Sequence, residues 1–128
     1  MASEMYLFDR SYKAENDLSA KQFRFVEMSG SDQIDVCDGT ADIAIGVLQN
    51  DPLAGQAAQV RHLGVSKVVT NGTTNGGISI GSWVGTDAVG KGIRKSADKD
   101  WVAGIALDAS SADGVIIRVL LMPQFLAV

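Results

Sequence analysis

The chain is short of cysteine, histidine and proline, with one, one and two among its 128 residues. The single Cys37 excludes an internal disulfide and fits synthesis in a reducing cytosol. A thiol nucleophile with an imidazole base would have to use Cys37 together with His62. The neighbours Asp35 and Asp38 oppose formation of a thiolate. We therefore interpret Cys37 as structural and His62 as a surface or interface residue.

The chain also lacks a long apolar run and a basic, apolar N-terminus. The opening MASEMYLFDR carries Glu4 and Asp9, which is not the pattern of an export signal. The most apolar segment, VIIRVLLM at 115–122, is far shorter than the ~20 residues that span a bilayer, and it contains Arg118. The expectation is a soluble protein with no membrane partner.

Positive charge and aromatic residues are scarce as well. There are 11 basic against 15 acidic residues, the net charge is -4, and aromatics make up 6% of the chain. Affinity for nucleic acid comes mostly from lysine and arginine on phosphates, and base stacking needs aromatics on a basic face. Direct binding to nucleic acid is therefore not expected.

Glycine, by contrast, is abundant, with 14 residues. Gly, Asn, Asp and Ser clusters recur at short intervals, and between them lie short segments of apolar and β-branched residues. These predict strands near 22–28, 33–37, 43–48, 57–62, 64–70, 78–84, 92–95, 101–107 and 115–122. Within the body of the domain, a short turn of helix is indicated only around 52–58. The fold class predicted is all-β, a small antiparallel β-barrel or sandwich.

Two stretches, 41–65 and 100–122, read alike. Each has an apolar residue, Gly, then Val or Ile (Gly46-Val47 and Gly104-Ile105), a small acidic turn, and a strand with an apolar residue before Arg (Val60-Arg61 and Ile117-Arg118). The domain at 21–128 is therefore predicted to consist of two similar β-units that bury a common core, with Trp83 and Trp101 at its ends.

Residues 1–20 mix charges and aromatics without a period. A disordered start, a short helix over AENDLSAK, and an extended arm that orders against a partner all remain open, and we favour the arm. Exposed aromatics are costly to leave in water, and this segment holds three of them, Tyr6, Phe8 and Tyr12.

Two segments imitate functional motifs. Gly85 to Lys91 has the spacing of a phosphate-binding loop, but Gly92 stands where a magnesium-binding Ser or Thr belongs, and no helix follows. We interpret it as a hairpin turn. Asp35, Asp38 and Asp42 suggest a calcium site, yet their spacing does not match the alternating ligands of an EF-hand and the bidentate Glu is missing, so turn capping explains them better. No catalytic, cofactor or metal residue is predicted.

The order of these features resembles the capsid decoration, or cement, proteins of tailed bacteriophages. The elements that carry the resemblance are Ile45-Gly46-Val47, Val60 to Gly64, Ile80 to Gly92, Ala103 to Leu107 and Val115 to Leu121, within residues 20 to 122. The resemblance implies a virion protein on the outer surface of an icosahedral head, made in the host cytoplasm. It implies no enzymatic activity and no cofactor.

Membership of that family would make the major capsid protein the partner and would favour a homotrimer at threefold positions of the shell. The N-terminal segment, which departs from the family pattern, is then the predicted anchor. We expect Tyr6, Leu7, Phe8 and Tyr12 to be buried against the shell or a neighbouring protomer, with Arg10 as a polar clamp.

Two other functions remain open. A carbohydrate- or host-surface-binding β-module would use an exposed Trp83 or Trp101 to stack on sugar rings. A nucleotide-using enzyme would need the segment from Gly85 to Lys91, and it is the weaker alternative.

Overall fold

A computed structural model describes residues 4–128, and in that range the chain forms strands, turns and bends with no helix. No segment there is thus a helix able to span a membrane. The nine strands are β1 (Met5–Ala14), β2 (Phe25–Gly30), β3 (Gln33–Val36), β4 (Gly46–Leu48), β5 (Ala57–Asn71), β6 (Trp83–Thr86), β7 (Gly92–Arg94), β8 (Trp101–Ala106) and β9 (Asp113–Phe125). The all-β prediction is confirmed.

The strands form two closed circuits that share the long strand β5. Hydrogen-bonded neighbours follow the order β1-β3-β2-β4-β5-β7-β6-β8-β9, and β5 pairs additionally with β1 and with β9. One circuit is therefore β1-β3-β2-β4-β5 and the other β5-β7-β6-β8-β9. Closing a sheet on itself removes most of the exposed edges that an open sheet would leave.

The two circuits repeat one pairing scheme. In the first, β1 pairs antiparallel with β5 and parallel with β3; in the second, β5 pairs antiparallel with β9 and parallel with β7. The registers agree too, since Val26 lies opposite Gly46 as Val84 lies opposite Gly104. The predicted duplication is thus real, and β5 is both the last strand of the first unit and the first strand of the second.

The glycines that marked the repeat are required by close packing. A Cβ on Gly46 would lie 2.4 Å from the carbonyl oxygen of Arg61, and one on Gly104 would lie 2.0 Å from that of Leu120. Real Cβ atoms do not approach backbone oxygen so closely, so only glycine lets the short strand press against the long one.

The predicted equivalence of Arg61 and Arg118 is wrong by two residues. Arg61 lies opposite Val47, and Leu120 lies opposite the equivalent residue Ile105. Arg61 therefore corresponds to Leu120. Val60-Arg61 and Ile117-Arg118 look alike because the two strands have similar composition. Their pairing registers differ by two residues, and a hydrophobic pattern alone does not determine the register.

Two apolar clusters form the interior. The first comes from the first unit and consists of Tyr12, Ala14, Leu18, Val26, Ile34, Leu48, Ala58 and Val60. The second joins both units and consists of Phe25, Cys37, Ala44, Val47, Val68, Ile78, Val84, Ala103, Ala106, Ile117, Val119 and Leu121. Trp101 packs against the second cluster, whereas Trp83 is half-buried at the surface.

Several local expectations are corrected. The predicted strands 57–62 and 64–70 are one continuous strand, β5, because Gly64 carries the chain through a left-handed conformation with φ of +112°. Neither 52–58 nor AENDLSAK is helical: Ala57 and Ala58 already belong to β5, Ala14 ends β1, and the residues between form turns, bends and irregular backbone. Residues 5–14 of the predicted arm are extended, but they pair with β5 of their own chain.

Candidate functional site

Large apolar side chains are exposed together on the first half of β1. Tyr6, Leu7 and Phe8 expose 64%, 72% and 49% of their surface, and Met5 precedes them with a similarly exposed side chain. Leu63 of β5 lies directly opposite Phe8 and is also exposed. We call Met5, Tyr6, Leu7, Phe8 and Leu63 the β1 patch. Grouped apolar exposure of this kind marks an interaction surface more often than scattered exposure does.

A glycine brings β1 against β5 at the patch. A Cβ on Gly64 would lie 2.2 Å from the carbonyl oxygen of Met5 and 2.9 Å from the amide nitrogen of Leu7. The pairing shifts register between Tyr6 and Phe8, and again between Phe8 and Asp9. A bulge of this kind twists a strand and re-aims its side chains, and here it accompanies a run in which consecutive side chains are all exposed.

A buried ion pair fixes the strand that carries the patch. Arg61 Nε lies 3.0 Å from Asp9 Oδ1, and the two side chains are only 10% and 11% exposed. Arg61 Nη1 also reaches Glu4 at 3.2 Å and donates to the carbonyl oxygen of Val65 at 3.0 Å. A buried charge without its partner is strongly destabilising, so this network holds the beginning of β1 in one position.

His62 supports the patch from beneath. Its Nδ1 donates to the carbonyl oxygen of Ile45 at 2.7 Å, so in the neutral ring Nε2 accepts from the hydroxyl of Tyr12 at 2.8 Å. Phe8 stacks on the imidazole with ring centroids 5.2 Å apart. His62 thus orients Phe8, and its hydrogen bonds go to Tyr12 and Ile45, not to Cys37.

The predicted site residues divide into two groups. Tyr6, Leu7 and Phe8 are exposed, as an anchor must be before it binds, and Arg10 is exposed while paired with Asp32 at 2.6 Å. Tyr12 is 8% exposed and belongs to the core of its own chain. Sequence reasoning missed Met5 and Leu63, although the alternation of buried and exposed residues along β5 would have placed Leu63 outward.

An apolar row continues from the patch across the outer face of the sheet. Met5 lies opposite Val65, Val65 opposite Leu120, Leu120 opposite Ile105, and Ile105 opposite Trp83. Directly paired residues share a face, so these five side chains form one line over five strands. All five are exposed or half-buried.

The family follows from comparison with known proteins. Residues 10–121 match the model of a family described as phage cement protein. The chain belongs to this family. It is thus a structural protein associated with the phage capsid, and the resemblance drawn from the sequence is confirmed. The β1 patch, apart from Leu63, lies just before the matched residues.

A solved structure shares the fold of this cement protein. The head fiber gp8.5 N base of bacteriophage phi29 superposes with a TM-score of 0.68 at 18% sequence identity, over 93% of this chain and 97% of that one. A search of curated proteins gave no match.

Cys37 lies in the cement protein's interior beside two carboxyl groups. Its Sγ and carboxyl oxygens of Glu27 and Asp42 lie within 4.8 Å of one another. Burial raises the pKa of Cys37 to about 12, so the thiol stays protonated at neutral pH. Burial, followed by the hydrogen bond with Asp42, raises the pKa of Glu27 to about 7. Two carboxyl groups share a hydrogen bond only when one is protonated, and burial assigns the proton to Glu27.

The acidic loop and the glycine-rich segment are turns. Asp42 Oδ2 accepts from the amides of Asp38 and Gly39, at 2.9 and 2.8 Å, which is turn capping as predicted. Asp87 Oδ1 accepts from the amides of Val89 and Lys91 in the β6–β7 hairpin. In a nucleotide-binding loop these amides would donate to the phosphate, whereas here they donate to Asp87. The segment is therefore a hairpin turn between β6 and β7, as predicted.

Proposed function

We propose that this cement protein binds the outer surface of an assembled phage head and stabilises it against the pressure of packaged DNA. The partner is the major capsid protein, and the contact surface is the β1 patch. One observation carries the proposal: consecutive large apolar side chains are exposed on a strand that the buried Arg61–Asp9 pair holds in place.

The binding free energy expected from one β1 patch is small, so the contact is effective only when several copies bind together. Burying a large apolar side chain contributes about 1.5–3 kcal/mol, so four of them give roughly 6–12 kcal/mol. Loss of overall freedom on association costs a comparable amount, of order 4–15 kcal/mol. One patch alone therefore binds weakly, and linked copies bind far more tightly.

This arithmetic favours a homo-oligomer, and the family resemblance makes a homotrimer the expected form. We assign the self-association surface to the members of the apolar row outside the patch, namely Val65, Leu120, Ile105 and Trp83. A molecule that contacts several shell subunits at once must lose those contacts together, which is how it would reinforce a shell under outward pressure. Sedimentation equilibrium of the wild-type protein and of Leu120→Lys tests the trimer. A monomeric wild-type protein would contradict it.

The remaining predicted contact residues keep separate roles. Arg10 is exposed beside the patch and can exchange Asp32 for an acidic group of the shell. Tyr12 acts inside the chain, where its hydroxyl holds the His62 ring on which Phe8 stacks.

Binding to undecorated heads tests the contact surface. Leu7→Asp places a charge in the middle of the patch, and we expect it to abolish cosedimentation with heads. Leu53→Asp is the matched control, because Leu53 is also an exposed leucine (51%, against 72% for Leu7) but lies in the turn beside Ala14, at the opposite end of β1. Equal binding of the two variants would reject the patch.

Heating decorated heads tests the stabilising role separately. The temperature at which DNA becomes accessible to a dye should rise when wild-type protein is bound. Attachment without such a rise would leave a head-binding protein and would reject reinforcement.

The carbohydrate-binding alternative now depends on Trp83 alone. Trp101 donates its indole N–H to the carbonyl oxygen of Ala44 and packs edge-on against Phe125, so its ring is engaged. Trp83 lines a cleft of about 490 Å³ together with Ile80 and Arg94. Glycan-array binding that is lost in Trp83→Ala would favour this second function.

A further inference from the structure

We propose that an extended segment of the shell subunit adds as a strand to the outer edge of β1. This deepens the proposed function by naming how the partner is held, and it rests on that function. The edge is the side of β1 that faces away from β5. From Met5 to Tyr12, no strand within residues 4–128 pairs with that side.

The direction of the backbone groups along β1 can be read from its end. The amides of Lys13 and Glu15 point away from β5, donating to the carbonyl oxygens of Asp32 and Ile34 at 2.8 and 3.0 Å. The amide of Ala14 points the other way and donates to Gln56. Because these directions alternate along an antiparallel strand, the N–H and C=O of Ser11 point to the open edge.

The second unit shows what covers this edge in the first. The equivalent of β1 there is the second half of β5, which pairs with β9 along one side. Its other side is covered by β1 itself, since Met5 lies opposite Val65 and Tyr6 opposite Gly64. The same side receives the carbonyl oxygen of Phe23, to which the amide of Val69 donates at 2.9 Å. The repeat therefore fills this position with an antiparallel strand.

A second copy of the chain does not offer the equivalent strand. By the repeat, that strand would be the second half of β5 in the other copy, and both of its sides are already paired near Gly64. Residues 5–12 of the open edge contain neither lysine nor proline, two residues that commonly block strand addition. An added strand would lie beside the β1 patch, so backbone hydrogen bonds would supply affinity and the patch specificity.

Ser11 gives a test that separates backbone from side chain. Ser11→Pro removes the outward amide while leaving the β5 side of the strand intact, and proline is tolerated where an edge N–H faces solvent. Ser11→Ala keeps the amide. We expect Ser11→Pro to weaken binding to undecorated heads at least tenfold and Ser11→Ala to bind like the wild type. Both should show wild-type circular dichroism and thermal midpoint.

Hydrogen exchange provides a second readout on the wild-type protein. The Ser11 amide should exchange rapidly in the free protein and become protected on heads. If Ser11→Pro is folded and binds heads like the wild type while Leu7→Asp does not, the patch stands and strand addition is wrong. If neither variant loses binding, both the patch and strand addition are wrong, whereas a wild-type protein that does not bind heads would reject the proposed function itself. If Ser11→Pro changes only the oligomeric state of the free protein, the edge joins copies of this chain, and the proposal is overturned.

Discussion

Two arginine–aspartate ion pairs involve neighbouring residues of β1, Asp9 and Arg10. We expect the buried pair to contribute much more to the free energy of unfolding than the exposed pair. Arg10 and Asp32 are 49% and 75% exposed with 2.6 Å between their charged atoms. Arg61 and Asp9 are 10% and 11% exposed at 3.0 Å. Distance alone would rank the Arg10 pair as the stronger, whereas solvent screening ranks it as the weaker.

The magnitudes follow from what each truncation leaves behind. Asp9→Asn leaves the buried Arg61 charge with Glu4 and the carbonyl oxygen of Val65. Breaking a buried pair costs about 3–5 kcal/mol when nothing compensates, so with these partners we expect about 2–3 kcal/mol. Asp32→Asn leaves an exposed, hydrated Arg10, and we expect less than about 0.5 kcal/mol.

Urea unfolding, followed by tryptophan fluorescence, measures the loss of stability in Asp9→Asn and in Asp32→Asn. A double-mutant cycle of Asp9→Asn with Arg61→Met isolates the coupling free energy of the buried pair, and Asp32→Asn with Arg10→Met does so for the exposed pair. Equal coupling energies in the two cycles would refute the reasoning that burial decides. Asp9→Asn should also weaken head binding, because it releases the beginning of β1.

Three further outcomes are expected. Gly64→Ala should destabilise the fold by at least about 2 kcal/mol in urea because its Cβ meets backbone, whereas Gly55→Ala, with φ of +83° and open space, should cost about 1 kcal/mol. Glu27 holds its proton in the folded state up to about pH 7 but releases it near 4.5 when unfolded, so the free energy of unfolding should fall by roughly 1–3 kcal/mol as pH rises through that interval. Glu27→Gln should flatten this pH dependence. An unchanged pH dependence in Glu27→Gln would assign it to another group. Cys37 should resist a thiol reagent until the protein unfolds, because it is fully buried with its pKa raised to about 12; rapid labelling of native protein would contradict this.

Much of the body could be predicted because its signals are local. Glycine and aspartate at turns, and alternating apolar residues between them, need only the nearest few positions to act, and the hairpin capped by Asp87 needed nothing more. The repeated Gly46 and Gly104 could be recognised in the sequence, and in the structure each lies where a short strand packs closely against a backbone carbonyl group. The exposed anchors Tyr6, Leu7 and Phe8 were also chosen from composition, and their contact with a shell stays a prediction.

The chain by itself determined an all-β fold, its duplication and a group of apolar residues near its beginning, since composition and short-range periodicity encode these properties. Tertiary structure alone decided that β5 serves both units, that β1 closes the first circuit, and that Tyr12 lies inside while Leu7 lies outside. These features depend on which distant strands pair and in what register. Arg61 and Asp9, for example, form a buried ion pair only because the pairing of β1 with β5 brings them together and removes them from water.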